Sequence, residues 1–268
     1  MKKLLVPIDF QNTTFNALKY SIRIAKEFSF EVHTLHLIDN ADAKVKAETK
    51  MEEVLSNLDT EDRKLVTPHI SVGKIEFDIG KTAEALDISF ILMGIHKKSR
   101  LDKIFGSRPI KVISESKTPY ITIQEGGSVM PISKIAMTID LEKESIQIVE
   151  AAIDLAKLFG AEIILVGGDH TDSTLKSKVA VNVKTARRLL SESGIASSVK
   201  LLDRSHFMEN FIEFCAENKV NLIAATYYPD TFTVFSNKFV QRLMENEACI
   251  PVLTLDSQSV GKIGKYSF

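Results

Sequence analysis

The chain has 268 residues, with 34 Lys and Arg against 35 Asp and Glu and a net charge of −1. That length fits one large domain or two small ones, and the balanced charge excludes a protein that coats nucleic acid through surplus cations. The apolar runs, such as Phe90–Gly94 and Leu253–Leu255, fall far short of the roughly 20 residues that span a bilayer. Leu4–Ile8 is cut by Asp9 with no small-residue cleavage site after it, so a cytoplasmic chain without membrane or export signal is expected.

In chain order, Leu4–Ile8 reads as a short buried strand. Thr13 or Thr14 is placed to cap the helix that follows, in which Phe15, Leu18, Ile22 and Ala25 recur at helical spacing. Glu31–Ile38 is strand-like, Ala41–Leu58 an exposed amphipathic helix, Val66–Val72 a strand, Glu76–Leu86 a helix and Phe90–Gly94 a strand. Pro109–Ser116 reads as a helix with proline in its first turn, and Tyr120–Ile123 as a last strand. The pattern then recurs, with strands at Ile135–Ile139, Glu162–Gly167, Val199–Leu202, Leu222–Thr226 and Val252–Leu255 and helices at Ser145–Phe159, Leu175–Ser191, Phe207–Asn218 and Phe235–Asn246. Strands alternating with helices imply parallel sheets covered on both faces.

The recurrence is also visible residue by residue. Lys3–Ile38 lies on Lys134–Asp169 without a gap, pairing Ile8 with Ile139, Asp9 with Asp140, Ala25 with Ala156, Phe28 with Phe159 and Glu31 with Glu162. Near the ends of the halves Pro119 falls on Pro251 and Thr122 on Thr254. Between them, Gln124–Ile132 contains Gly126, Gly127 and Pro131, a turn-rich linker.

In open parallel sheets a ligand sits beyond the carboxyl ends of the strands, where strand order reverses. Asp9 ends the first strand and Gly94 the fourth. Gly94 opens a stretch that reaches Gly106-Ser107, a pair suited to offering backbone N–H groups to an anion at a helix start. Lys97, Lys98, Arg100, Lys103, Arg108 and Lys111 face one acid there, Asp102. A solvated basic loop before an ordinary helix cap would leave the same signature, because short glycine motifs recur by chance.

Val6-Pro7-Ile8-Asp9-Phe10, Leu35-His36-Leu37-Ile38-Asp39, Ile91-Leu92-Met93-Gly94-Ile95-His96, and Gly106-Ser107 followed by Thr118-Pro119 together resemble the universal stress protein family. They occur in family order across the first half, and the second half is a weaker copy, so the chain resembles a tandem universal stress protein. The resemblance implies an α/β fold of two flavodoxin-like, Rossmann-like domains. Each would be a five-stranded parallel sheet of order 3-2-1-4-5 with helices on both faces. Residues 1–125 would form a domain with a partly retained nucleotide motif, 133–256 a domain with a degenerate motif, and 257–268 a tail. Family members pair through the last strand. Tyr120–Ile123 and Val252–Leu255, each a bare sheet edge alone, are therefore expected to pair within the chain, while a homodimer and an unidentified protein partner stay open.

The family's ATP binders carry Gly-x2-Gly-x9-Gly-(Ser/Thr). Here Gly94 and Gly106-Ser107 remain, Lys97 stands at the middle glycine, and eight residues separate it from Gly106. By this match Pro7 and Asp9 would face ribose and base, and Leu37 would offer its backbone to the base. Met93, Gly94, Lys97, Gly106, Ser107 and Arg108 would line the phosphates, with Mg2+ entering only with the nucleotide. In the second half the corresponding positions are Thr226, Pro229, Lys238 and Phe239, so no nucleotide is expected there, and Asp140 is expected to cap a turn or a helix.

Other chemistry finds little support. His33 and His36, three apart on a strand, face opposite ways and cannot share an ion. His69, His96, His170 and His206 are isolated in sequence. Cys215 and Cys249 have no metal or redox spacing and read as buried, reduced thiols. No nucleophile–base pair stands out, so an enzyme is not the first choice. Three readings remain: a stress-response protein that binds an adenine nucleotide or another anion in its first half, an interaction module of the same fold without nucleotide, and a slow ATPase or nucleotidyl transferase.

Overall fold

The computed structural model describes residues 2–95, 112–113, 116–127, 131–228 and 237–257. Contacts divide the chain into Met1–Gly126 and Gly127–Phe268.

The first unit runs β1 (Lys3–Pro7), α1 (Asn12–Phe28), β2 (Glu31–Ile38), α2 (Lys44–Ser56), α3 (Thr60–Lys64), β3 (Val66–Val72), α4 (Ile75–Ala85), β4 (Phe90–Ile95) and β5 (Tyr120–Gln124). Its strands are parallel in the order β3-β2-β1-β4-β5. All residues of β4 and β5 are buried, as strands covered on both faces require. Of the apolar stripe expected of α1, Leu18, Ile22 and Ala25 are buried and Phe15 is half-buried.

The second unit runs β6 (Lys134–Ile139), α5 (Ile148–Phe159), β7 (Glu162–Asp169), α6 (Ser173–Glu192), β8 (Ser197–Asp203), α7 (Phe207–Glu217), β9 (Leu222–Tyr227), α8 (Asn237–Met244) and β10 (Val252–Asp256). Its order is β8-β7-β6-β9-β10, again all parallel. Each half is thus a 3-2-1-4-5 sheet. Among the described residues no helix is long and apolar enough to cross a membrane.

Several local expectations change. Ala41–Leu58 is not one helix. Asn40 closes a 3-10 turn at Ala41–Ala43 by accepting from the backbone N–H of Asp42 and Ala43, and α2 ends before Asn57. A separate short helix, α3, then carries Asp62, whose carboxylate meets Lys26 of α1. Ser145–Phe159 likewise divides into a 3-10 turn, Lys143–Ile146, and α5. Of the helix expected at Pro109–Ser116, Val112 and Ile113 are helical and buried, Ser116 is outside it, and 109–111 and 114–115 lie outside the described residues. Neither Thr13 nor Thr14 caps α1. Gln11 occupies the cap position, and both threonines lie buried in the first turn. Cys215 is buried and its thiol is pushed up to about 12 by burial, whereas Cys249 is only half-buried.

The repeated helices α1 and α5 both end on a left-handed residue. Ser29 has φ 56° where Gly160 has φ 67°. Only glycine adopts this conformation without a Cβ penalty. Ser29→Gly should therefore raise stability by about 0.5–1 kcal/mol and Gly160→Ser should lower it by a similar amount, as read from urea denaturation midpoints.

Candidate functional site

In the order β3-β2-β1-β4-β5 the crossovers leave β1 and β4 in opposite directions, which places a crevice beyond their carboxyl ends. Pro7, Ile8 and Asp9 after β1, Leu35, His36 and Leu37 of β2, and Ile75 and Ile79 of α4 line a cleft of about 90 Å³. Pro7, Asp9 and Leu37 are therefore brought together in one cleft. Met93 is fully buried within β4 and does not line this cleft. Lys97, Gly106, Ser107 and Arg108, with the rest of the basic stretch, lie outside the described residues.

Asp9 is engaged locally. Its Oδ1 accepts from the backbone N–H of Gln11 at 2.9 Å and from the Thr14 hydroxyl at 3.0 Å, so it steers the chain into α1. Phe10, the next residue, has φ 65°, a strained conformation for a bulky side chain. Its ring is held against His36 at 4.3 Å, with the Lys50 ammonium 5.5 Å from its centroid. The His36 imidazole is fixed in turn by a 2.7 Å hydrogen bond between Nδ1 and the Ile8 carbonyl. From sequence His36 is weighed only as a metal ligand and Phe10 only as part of the resemblance, and neither is assigned to the cleft. The apolar–polar alternation of β2 could have flagged His36, whereas nothing marks Phe10 as left-handed.

Gly94 has a packing role as well as a place in the motif. A Cβ there would lie 2.2 Å from the Thr13 carbonyl oxygen and 2.9 Å from the Thr14 nitrogen. The first turn of α1 thus presses directly on the end of β4. In the second half Thr226 stands at the matching position, and its hydroxyl reaches the Ser145 carbonyl at 3.5 Å. The space that α1 uses in the first half is there occupied by a side chain, and the helix starts later, after a 3-10 turn. Phe239, which replaces the serine of the anion motif, is buried against Phe207.

Asp140, the counterpart of Asp9, caps neither the 3-10 turn nor α5. Its Oδ1 accepts from the neighbouring Leu141 N–H, while its Oδ2 is buried without a partner among the described residues. Burial, aided by the charge of Glu142, raises its carboxyl to about 6 against the pull of the Leu141 N–H and Arg204. The hydroxyls of Ser145 and Tyr228 are buried in the same region, and burial followed by the Asp140 charge pushes the Tyr228 phenol up.

The histidines are less isolated than their spacing suggests. His33 Nδ1 and His69 Nε2 share a hydrogen bond of 2.9 Å across β2 and β3, with stacked rings, and His33 Nε2 lies 3.5 Å from Glu31. Burial and the His33 charge hold His69 below the usual imidazole range. His170 sits 3.2 Å from the Arg204 guanidinium. Among the described residues no group of three His, Cys, Asp or Glu is placed to hold a metal ion.

A model of the universal stress protein family matches residues 1–124. The first half of the chain belongs to the universal stress protein family. No curated protein matches the chain in sequence. Among solved structures, a universal stress protein from Archaeoglobus fulgidus DSM 4304 is 17% identical with a TM-score of 0.73, covering 95% of this chain and 98% of its own. A protein of unknown function from Pseudomonas aeruginosa PAO1 is 13% identical with a TM-score of 0.62, covering 98% and 95%. A universal stress protein solved in complex with cAMP is 13% identical with a TM-score of 0.36, covering 48% of this chain and 99% of its own. The two whole-chain likenesses show that each half has the fold found in these proteins.

Two outcomes follow for this chain. Gly94→Ala should destabilise the chain by about 1–3 kcal/mol, because the atoms met are backbone and cannot rotate away; denaturant unfolding reads this directly. The second concerns Asp140, whose carboxyl is ionised in the unfolded chain at a pH where the folded chain still holds its proton. Stability is therefore lost as pH rises from about 4 to about 6. Asp140→Asn should be more stable than the parent above pH 6, by up to about 3 kcal/mol, and the gap should close towards pH 4 in paired urea melts.

Proposed function

We propose that the first half binds one adenine nucleotide, or another anion of that class, at the β1/β4 crevice, and that the second half binds none. The observation that carries this reading is the convergence of Pro7, Asp9 and Leu37 on one cleft at the carboxyl ends of β1 and β2. At about 90 Å³ the cleft is well below the roughly 300–1,000 Å³ of complete small-molecule sites. It accounts for the base end of a nucleotide. The phosphate end rests on the sequence signal of 94–108, Gly94 and Gly106-Ser107 with the surrounding cations. Against a second site stand Thr226 in the place of Gly94 and the buried Phe239 in the place of Ser107.

In this reading the protein senses rather than reacts. Asp9 is already bonded to Gln11 and Thr14, which suits a residue that shapes a pocket better than one that takes a proton. A stress-response role in the cytoplasm, with the free thiols Cys215 and Cys249 reduced, belongs to the same proposal. So does the pairing of Tyr120–Ile123 with Val252–Leu255 expected from the family resemblance.

Calorimetric titration of the full chain with ATP and Mg2+ should give one site. Replacing Lys97 and Lys98 with alanine should weaken it about tenfold and flatten its salt dependence, since each charge-assisted contact is worth roughly 1.5–3 kcal/mol when water is excluded. Lys97→Gly should also weaken it. Two equivalent sites, no site, or tighter ATP binding by Lys97→Gly would contradict this account.

A further inference from the structure

A hollow in the second half lies apart from the β1/β4 crevice and meets the counterpart of that crevice at Gly168, the residue matching Leu37. It is a groove of about 690 Å³ between the flank of α6 and the edge strand β8. This volume falls inside the range of small-molecule sites. Its floor is apolar, formed by Val179, Ala180 and Val183 of α6 and Val199 and Leu201 of β8. Val199 and Leu201 are 39% and 48% exposed, high values for large aliphatic side chains facing a helix. Towards the carboxyl end of β7 the groove is bounded by Gly168 and Asp169, and then by His170.

The rim is mainly basic. Lys176, Lys184, Arg187 and Arg188 line it, with Asp169 as the acid on the other side. Asp169 lies 3.8 Å from Lys176, and Glu192 takes Arg188 at 2.9 Å. Lys184 and Arg187 have no acidic partner among the described residues. The charge is particular to this half. Helix α6 carries five cations against Glu192 alone, whereas α2, its counterpart, balances three lysines with three glutamates. The corresponding hollow beside α2 and β3 is lined by Lys44 together with Glu48 and Glu52 and is smaller, about 470 Å³.

We propose that the α6/β8 groove binds a free, single-chain anionic amphiphile. The tail lies along Val183, Val199 and Leu201, and the anionic head meets Lys184 and Arg187. The apolar surface lies within a concavity, which suits a chain entering from solution better than a flat bilayer. The chain's own segment 258–268 is the wrong occupant by charge, because it carries Lys262 and Lys265 and no acidic side chain.

The probe is decanoate, kept below its micelle-forming concentration and titrated into the full chain by calorimetry, with methyl NMR to locate it. Saturable one-to-one binding is expected, with shifts at the Val183, Val199 and Leu201 methyls. Lys184→Ala/Arg187→Ala, both on the exposed rim, should weaken it at least tenfold, and decanol and butyrate should bind at least tenfold more weakly than decanoate. The proposal is overturned by absence of saturable binding, by equal binding to the double variant, or by decanol binding as tightly as decanoate. It is equally overturned by shifts confined to the Pro7–Leu37 cleft, or by binding to anionic vesicles or an acidic peptide but not to decanoate. ATP titration of the same double variant should be unchanged, which separates this site from the one in the first half.

Discussion

The close approach of a helix to a strand governs the first half. The opening turn of α1 can rest on β4 only because residue 94 has no side chain, with the Thr13 carbonyl where a Cβ would stand. That contact sets where α1 begins and where the loop after β1 must turn, and Asp9 secures the same turn through Gln11 and Thr14. The strained φ of Phe10 is the local cost of connecting β1 to a helix held so near, and the contacts with the His36 ring and the Lys50 ammonium offset it. The crevice is thus a by-product of packing.

The second half shows what happens when that constraint is released. Threonine at 226 fills the space, the helix retreats behind a 3-10 turn, and the aspartate that opened the loop in the first half becomes a buried carboxyl without full hydrogen bonding. The same five-strand frame therefore carries two different strand–helix junctions. Divergence has concentrated at the junctions, while β6 and β7 keep the register of their counterparts β1 and β2, with Lys134 opposite Glu162 as Lys3 is opposite Glu31.

Much of this was legible in the sequence. The strand and helix order follows from periodicity, and the internal repeat makes each half a check on the other. Pro7, Asp9 and Leu37 could be grouped because ends of adjacent parallel strands must lie together. What escaped depends on distances that sequence spacing does not encode. The meeting of His33 with His69 requires the β2–β3 register, which puts Leu35 opposite His69. The failure of Thr13 and Thr14 as caps reflects the earlier start of α1. The basic character of α6 was visible as composition, but only its placement over Val199 and Leu201 turns charge into a rim.

The imidazole pair joining β2 to β3 gives the first sheet a margin of its own. Two rings that share one hydrogen bond accommodate one proton far more readily than two, and His69 resists protonation in the fold. The unfolded chain has no such resistance, so His69 withdraws stability as pH falls below the ordinary histidine range. Among the described residues β3 is joined to its sheet through β2 alone. Mild acid would therefore loosen the first half at that outer strand, on the opposite side of β2 from the β1/β4 junction.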